Sequence, residues 1–203
     1  LKTHYPEEFM AAALTCDKGN QDQMIIYLQE CKRMGIQVKP PDVNESKTDF
    51  TPTGDGIRFG FSALKNLGEK AADHIVAVRK LRPYRDFFDF ANRIDSSEIN
   101  KKGFTALTCA GAFDFTKNKR AVLLESIEAF LDWKKKNKSY LGRLETYERK
   151  MEAVQQRKLD IEAGLTTEKG KKLRPLKEPT KPEPPEFPKT IDLPELPDIE
   201  ILK

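Results

Sequence analysis

The chain has 203 residues, 38% of them hydrophobic and 33% charged, with a mean hydropathy of −0.64. No apolar run approaches the ~18 residues of a membrane-spanning helix, which excludes an integral membrane protein. The start, Leu1-Lys2-Thr3-His4, has neither an initiator Met nor the basic-then-apolar order of a signal peptide, which predicts a sequence that begins inside a longer polypeptide. Cys16, Cys31 and Cys109 are odd in number and far apart, an arrangement unsuited to a disulfide framework or a structural zinc and suited to a reducing, cytoplasmic setting. The net charge of +4 is uneven: residues 1–56 carry −3, residues 57–138 carry +7, and the remainder is neutral. A basic middle segment fits a polyanionic partner.

Taken in order, Pro6, Glu7 and Glu8 suit a first helical turn, and Phe9, Met10, Ala13 and Leu14 follow at helical spacing. A second helix begins at an Asn20 or Asp22 cap, carries Met24, Ile25, Leu28 and Cys31, and stops at Gly35. Ile36-Gln37-Val38 predicts a short strand. Thr53-Gly54-Asp55-Gly56, inside an alternating run from Thr48 to Gly60, predicts a β-hairpin. Short helices then follow: Phe61 to Leu67, one bearing Ala72, Ile75 and Val76, one capped by Asp86 with Phe87, Phe90 and Ile94, and one capped by Asn100 with Phe104 and Leu107. Gly103 is a weak point in the last, at roughly 1 kcal/mol relative to Ala. A long helix runs from about Asn118 to Lys136. A charged helix over Tyr140 to Glu162, with a narrow stripe of Leu141, Leu144, Met151, Val154 and Leu159, follows it. Pro175 to Pro197 supports neither helix nor central strand and predicts an extended, largely disordered linker. The fold class is mainly α, with a small β-hairpin element and a Pro/Lys/Glu-rich extended C-terminal segment.

The segment Leu64-Lys65-Asn66-Leu67-Gly68-Glu69-Lys70-Ala71 places a tight bend before a helix whose first amides are unpaired, a ready site for phosphate. It resembles the helix-hairpin-helix motif, with Asn66 at a position where glycine is usual; Asn tolerates positive φ. Residues 100–121 repeat the arrangement, with Ala110-Gly111-Ala112 as the bend and Lys119 and Arg120 at its exit. Two such bends could grip both phosphate strands beside a minor groove without reading bases. The phosphate-binding residues predicted are Lys65, Asn66, Gly68, Lys70, Gly111, Ala112, Lys119 and Arg120.

The ordered blocks HYPEEFMAAALT, ECKRMGIQVKPPDVNES, GIRFGFSALKNLGEKA, FFDFANRID and INKKGFTALTCAGAFD are similar to the alpha subunits of bacterial DNA polymerase III over roughly residues 1–133. The resemblance implies that residues 1–56 close the fingers region and that residues 57–136 form a tandem helix-hairpin-helix DNA-binding domain; residues 137–203 lie beyond it and read, from their composition, as a charged helix plus Pro-rich linker, a variable insertion or connector. It also implies duplex DNA, the sliding clamp and other replisome subunits as partners of the parent chain. Gly103, Thr108 and Cys109 depart from the family's more usual helix-favouring or basic residues, and Gln156-Arg157-Lys158-Leu159-Asp160 is a poor match to its clamp-binding peptide.

No D-x-D pair on a strand-like segment is present, so the carboxylates for nucleotidyl transfer, and their magnesium, are expected in the parent's palm and no catalytic residue or cofactor in this segment. Asp86, Asp89, Asp95 and Asp114 read as caps and solvated positions. His4 and His74 lack partners at metal-ligand spacing. Phe87, Phe88 and Phe90 read as core, against a base-stacking platform. The run Lys134-Lys135-Lys136-Asn137-Lys138 reads as a solvated helix end or a phosphate contact. Two alternatives stay open: a helix-hairpin-helix module of a repair nuclease or helicase, and a helical protein-interaction scaffold.

Overall fold

The computed structural model describes residues 2–95, 97–167 and 170–188. It is mainly helical, with six α-helices and three two-residue strands among the described residues. The chain divides into two compact units, one reaching Glu128 and the other spanning Ala129–Lys189. Residues on the two sides of the expected boundary at 56/57 both lie in the first unit and are tied together by the loop contacts described below.

In the first unit, α1 (Pro6–Cys16) starts with Pro6 in its first turn and Glu7 and Glu8 at the positive end of its dipole. It buries Met10, Ala11 and Leu14. In α2 (Gln21–Arg33), Asn20 accepts the Gln23 amide at 3.2 Å. The helix ends as Gly35, at φ 72°, donates to the Lys32 carbonyl while the Ile36 amide reaches back to that of Cys31, the glycine stop read from the sequence. Met24 and Cys31 are buried, but Ile25 is exposed.

The strands β1 (Val38–Lys39), β2 (Thr51–Pro52) and β3 (Ile57–Arg58) form a sheet of order β1-β3-β2. The β2–β3 hairpin is antiparallel, closed by the Thr53 amide on the Gly56 carbonyl at 2.8 Å, and β1 lies parallel to β3. Met10, Leu14, Met24, Cys31, Phe50 and Ile57 form the core beneath these elements.

The remaining helices are α3 (Glu69–Arg79), α4 (Phe87–Arg93), α5 (Lys101–Cys109) and α6 (Arg120–Glu162). Asp86 and Asn100 cap α4 and α5 as their sequence positions predict. Phe87 and Phe90 of α4 pack edge-to-face on Phe104 of α5 and on Phe113, with ring centroids 5.0–6.1 Å apart. All four rings are buried, so Phe87 and Phe90 form no exposed platform for bases.

The helix α6 is continuous where the sequence suggested two helices, because Asn137, Lys138 and Ser139 interrupt the polarity pattern without a helix-breaking residue. The run Lys134–Lys138 therefore lies within a helix and not at its end. Its inner stripe is Phe130, Trp133, Asn137, Tyr140, Leu144, Tyr147, Met151 and Val154, all buried or half-buried at alternating three- and four-residue spacing. Leu141 and Leu159, expected in the stripe, are more than half exposed. The Pro-rich segment through residue 188 is extended, as predicted, yet docked. Phe187 packs on Trp133 at 4.9 Å, the Trp133 indole N–H donates to the Pro185 carbonyl at 3.3 Å, and Lys158 pairs with Glu178 at 2.7 Å. Residues 189–197 of the expected linker lie outside the described residues.

Gly60 precedes the short 3-10 turn Phe61–Ala63. A Cβ there would lie 2.4 Å from the Asp49 carbonyl carbon and 2.6 Å from the Phe50 nitrogen, main-chain atoms that cannot swing aside. Gly60→Ala is expected to destabilise the chain by about 2 kcal/mol, within the usual range for overpacking, in urea unfolding followed by circular dichroism. An unchanged midpoint would contradict this packing.

Candidate nucleic-acid interface

The first bend follows the Phe61–Ala63 turn. Leu64 is extended, Asn66 takes φ 65° and Gly68 stands before α3 in extended conformation. Asn66 thus supplies the left-handed step expected of it. Leu67, between the two, is buried at 3% exposure, while Lys65, Asn66, Gly68 and Lys70 are all exposed. The bend is anchored by one apolar side chain and presents everything else outward. No side chain caps α3, and the amides of Gly68, Glu69 and Lys70 donate to no acceptor among the described residues. These donors stand at the positive end of the α3 dipole, and the exposed Lys65 and Lys70 flank them in sequence.

Glu69 sits in this first turn, where its carboxylate would repel an anion. Lys18 engages it: the Lys18 ammonium donates to Glu69 at 2.7 Å, to Asp49 at 3.0 Å and to Ser62 at 3.1 Å. The hydrogen bonds it donates to Glu69 and Asp49 raise the Lys18 pKa above its ordinary value, burial opposing them, so Lys18 stays charged. Sequence reasoning missed this residue, because 51 positions separate Lys18 from Glu69.

Behind the bend lies α5. A Cβ on Gly103 would sit 2.9 Å from the Ile99 methyl and 3.4 Å from the Asn66 carbonyl oxygen. The glycine that weakens α5 in isolation is what lets its backbone approach the first bend. The same helix leads, through Cys109, into the second.

That second bend differs. Gly111 takes φ 86°, matching Asn66, and Ala112 is buried like Leu67. The next element, however, is a 3-10 turn at Asp114–Thr116, followed by Lys117 at φ 57°, before α6 begins at Arg120. Gly111 is buried, and the Ala112 carbonyl accepts the Val43 amide at 3.1 Å. Arg120 folds back onto the bend, donating through Nε to Asp114 at 2.9 Å, through Nη2 to the same carboxylate, and through Nη1 to the Cys109 carbonyl at 3.0 Å. Gly111, Ala112 and Arg120, expected at a phosphate, are thereby occupied in holding the bend closed; Lys119 is exposed beside it. Gly111 is needed there, since a Cβ would lie 2.5 Å from the Arg120 guanidinium.

Two further struts went unread in the sequence. Val43, fully buried, joins the second bend to α3 by accepting Arg79 Nη1 at 2.9 Å, and the Asn44 side chain pairs with the Tyr84 backbone at 2.7 and 2.9 Å. Arg93 lies 4.5 Å from the Tyr84 ring centre and donates to the Val78 and Arg82 carbonyls. Asp89, 5% exposed, accepts a bidentate contact from Arg82 at 2.7 and 3.0 Å and faces Arg93 at 3.4 Å. With Arg85 at 3.7 Å as the third, its side chain is a clasp on three arginines, contrary to the solvated position expected of it. Asp95 accepts the Ser97 amide, and Asp95's own amide donates to His74. Among the described residues no group of three or more His, Cys, Asp or Glu is placed to hold a metal ion, and no helix is long and apolar enough to cross a membrane.

A family model described as a helix-hairpin-helix motif matches residues 35–123, a stretch that contains both bends. That match begins upstream of residue 57 and takes in the Val43 loop. The chain is also similar to DNA polymerase III alpha subunits: 44% identical over 133 residues to that of Saccharopolyspora erythraea, 42% over 134 to that of Thermus aquaticus and 41% over 132 to that of Bacillus subtilis. These matches cover 65–66% of this chain and 11–12% of the relatives' length. The matched region corresponds to a segment of DNA polymerase III alpha subunits.

Burial pushes the Asp89 carboxyl up, but the hydrogen bonds from Arg82 and the Arg85 amide, with the charges of Arg82 and Arg93, outweigh it and hold the pKa below the ordinary 3.8. A carboxylate with a lowered folded pKa contributes its full stability above the ordinary value and loses it as pH falls through the lowered one. Asp89→Asn is expected to destabilise the chain by about 2 kcal/mol at neutral pH, as for hydrogen bonds to a charged group, with the gap to wild type closing in acid below that value. A gap independent of pH in urea titrations would contradict the clasp.

Proposed function

We propose that this chain is the duplex-holding segment of a replicative DNA polymerase whose parent extends a primer from deoxynucleoside triphosphates. The observation that carries the reading is the open first bend, where the uncapped amides of Gly68, Glu69 and Lys70 lie between exposed Lys65 and Lys70. A phosphate oxygen placed there accepts amide hydrogens at the positive end of α3 and gains from both ammonium groups. Such contacts touch no base edge, so binding is independent of sequence and falls steeply with salt.

In this reading the first bend is the principal grip, through Lys65, Asn66, Gly68 and Lys70, and Lys119 contributes beside the second. Gly111, Ala112 and Arg120 keep the second bend in shape. Nucleotidyl transfer, with its carboxylates and magnesium, belongs to the parent's palm; the sliding clamp and other replisome subunits are its partners, and the cytoplasm its compartment. The similarity to polymerase alpha subunits supports this parentage over a repair nuclease or helicase.

The double substitution Lys65→Ala/Lys70→Ala should weaken binding of the full chain to unrelated duplexes about equally and lower the log–log salt slope by about 2, at ~0.9 per phosphate contact. Fluorescence anisotropy across a salt series measures both. Unchanged binding, or a loss confined to one sequence, would contradict the phosphate grip.

A further inference from the structure

Along α6, next to the stripe covered by the Pro-rich strap, Lys136, Arg143, Lys150 and Arg157 recur at every seventh residue. Seven residues fall within ~20° of two full turns, so these side chains stand in one gently drifting row. The first three are exposed and Arg157 is half-buried. None of the four forms an ion pair with a described residue.

The surroundings of the row set it apart from an ordinary solvated helix, whose cations are commonly offset by acids three or four residues away. The neighbours of Arg143 at those spacings are Ser139, Tyr140, Thr146 and Tyr147; those of Lys150 are Thr146, Tyr147, Ala153 and Val154. Glu145, Glu148 and Glu152 lie on another side of the helix. Only Asp132 and Asp160, at the two ends, stand at pairing distance in sequence from Lys136 and Arg157. At 1.5 Å per residue the row spans ~32 Å, against ~34 Å for one turn of duplex. Like charges in line on one helix repel, and a polyanion laid along them relieves the repulsion.

We propose that this row is a second phosphate-binding surface, a rail for the backbone of duplex DNA, separate from the first bend. It rests on the reading of the chain as a duplex-holding segment and adds a contact outside the helix-hairpin-helix match. The row is uninterrupted because α6 is one helix; Phe187 and Pro185 pack on it at Trp133, and Glu178 pairs with its Lys158.

The test is anisotropy of the full chain with a mixed-sequence duplex of about three turns across a salt series. Lys136→Gln, Arg143→Gln, Lys150→Gln and Arg157→Gln are combined in a rail variant. A control variant combines Lys171→Gln, Lys172→Gln, Lys177→Gln and Lys181→Gln, the same change in net charge at exposed positions. The rail variant, with helix content verified by circular dichroism, should lose about 3–4 from the salt slope and at least tenfold in affinity; the control should lose less than 1 from the slope. Equal losses in the two variants, or a rail variant that binds like wild type, would overturn the proposal. Preference for a single strand of equal length would overturn the duplex assignment. If Lys65→Ala/Lys70→Ala lowers the slope while the rail variant does not, the rail fails and the duplex-holding reading stands; the converse sinks the bend and keeps the rail. Failure of the wild-type chain to bind duplex overturns both.

Discussion

A bend that offers backbone amides to solvent must be held from below, since donors turned outward contribute nothing to its own folding. Leu67 does this holding. It is buried between exposed Asn66 and Gly68, and its side chain meets the backbone of α5 at Gly103, where a Cβ would lie 3.6 Å from a Leu67 methyl. The left-handed step at Asn66 aims Leu67 inward and leaves the next three amides facing water. Without that anchor the positive end of α3 would be a frayed terminus.

The two bends share a backbone plan and divide the work. Each has a residue of positive φ followed by a buried apolar one. The first stays open because Lys18 removes the one adverse charge in its helix turn. The second is sealed from inside by Arg120 on Asp114 and by the Val43 amide on Ala112. Its glycine makes room for an internal arginine. The sealed bend, the phenylalanine cluster and the Val43 loop make a frame on which the open bend is presented.

Much of this was legible in the sequence because it rests on local chemistry. Caps at Asn20, Asp86 and Asn100, the stop at Gly35, the β2–β3 hairpin and the positive φ of Asn66 all follow from residues within a few positions of one another. What escaped depends on distant pairings. Lys18 reads as a loop cation until Glu69 is seen beside it, Val43 as an ordinary apolar residue until its two hydrogen bonds are traced, and Gly103 as a defect until the first bend is found against it. Arg120 looks like a phosphate ligand, since guanidinium chemistry suits a phosphate and the Asp114 carboxylate alike; only geometry decides. The continuity of α6 was missed because a polar interval was taken for a break, though no residue in it opposes helix.

The account stands or falls on where phosphate meets the main chain. Titrating the isotope-labelled chain with a short mixed-sequence duplex and following backbone amide resonances by NMR tests this directly. The account predicts the largest shifts at Gly68, Glu69 and Lys70, with Gly111 and Ala112 little affected. Large shifts at Gly111 and Ala112 with the Gly68–Lys70 amides unmoved would contradict it.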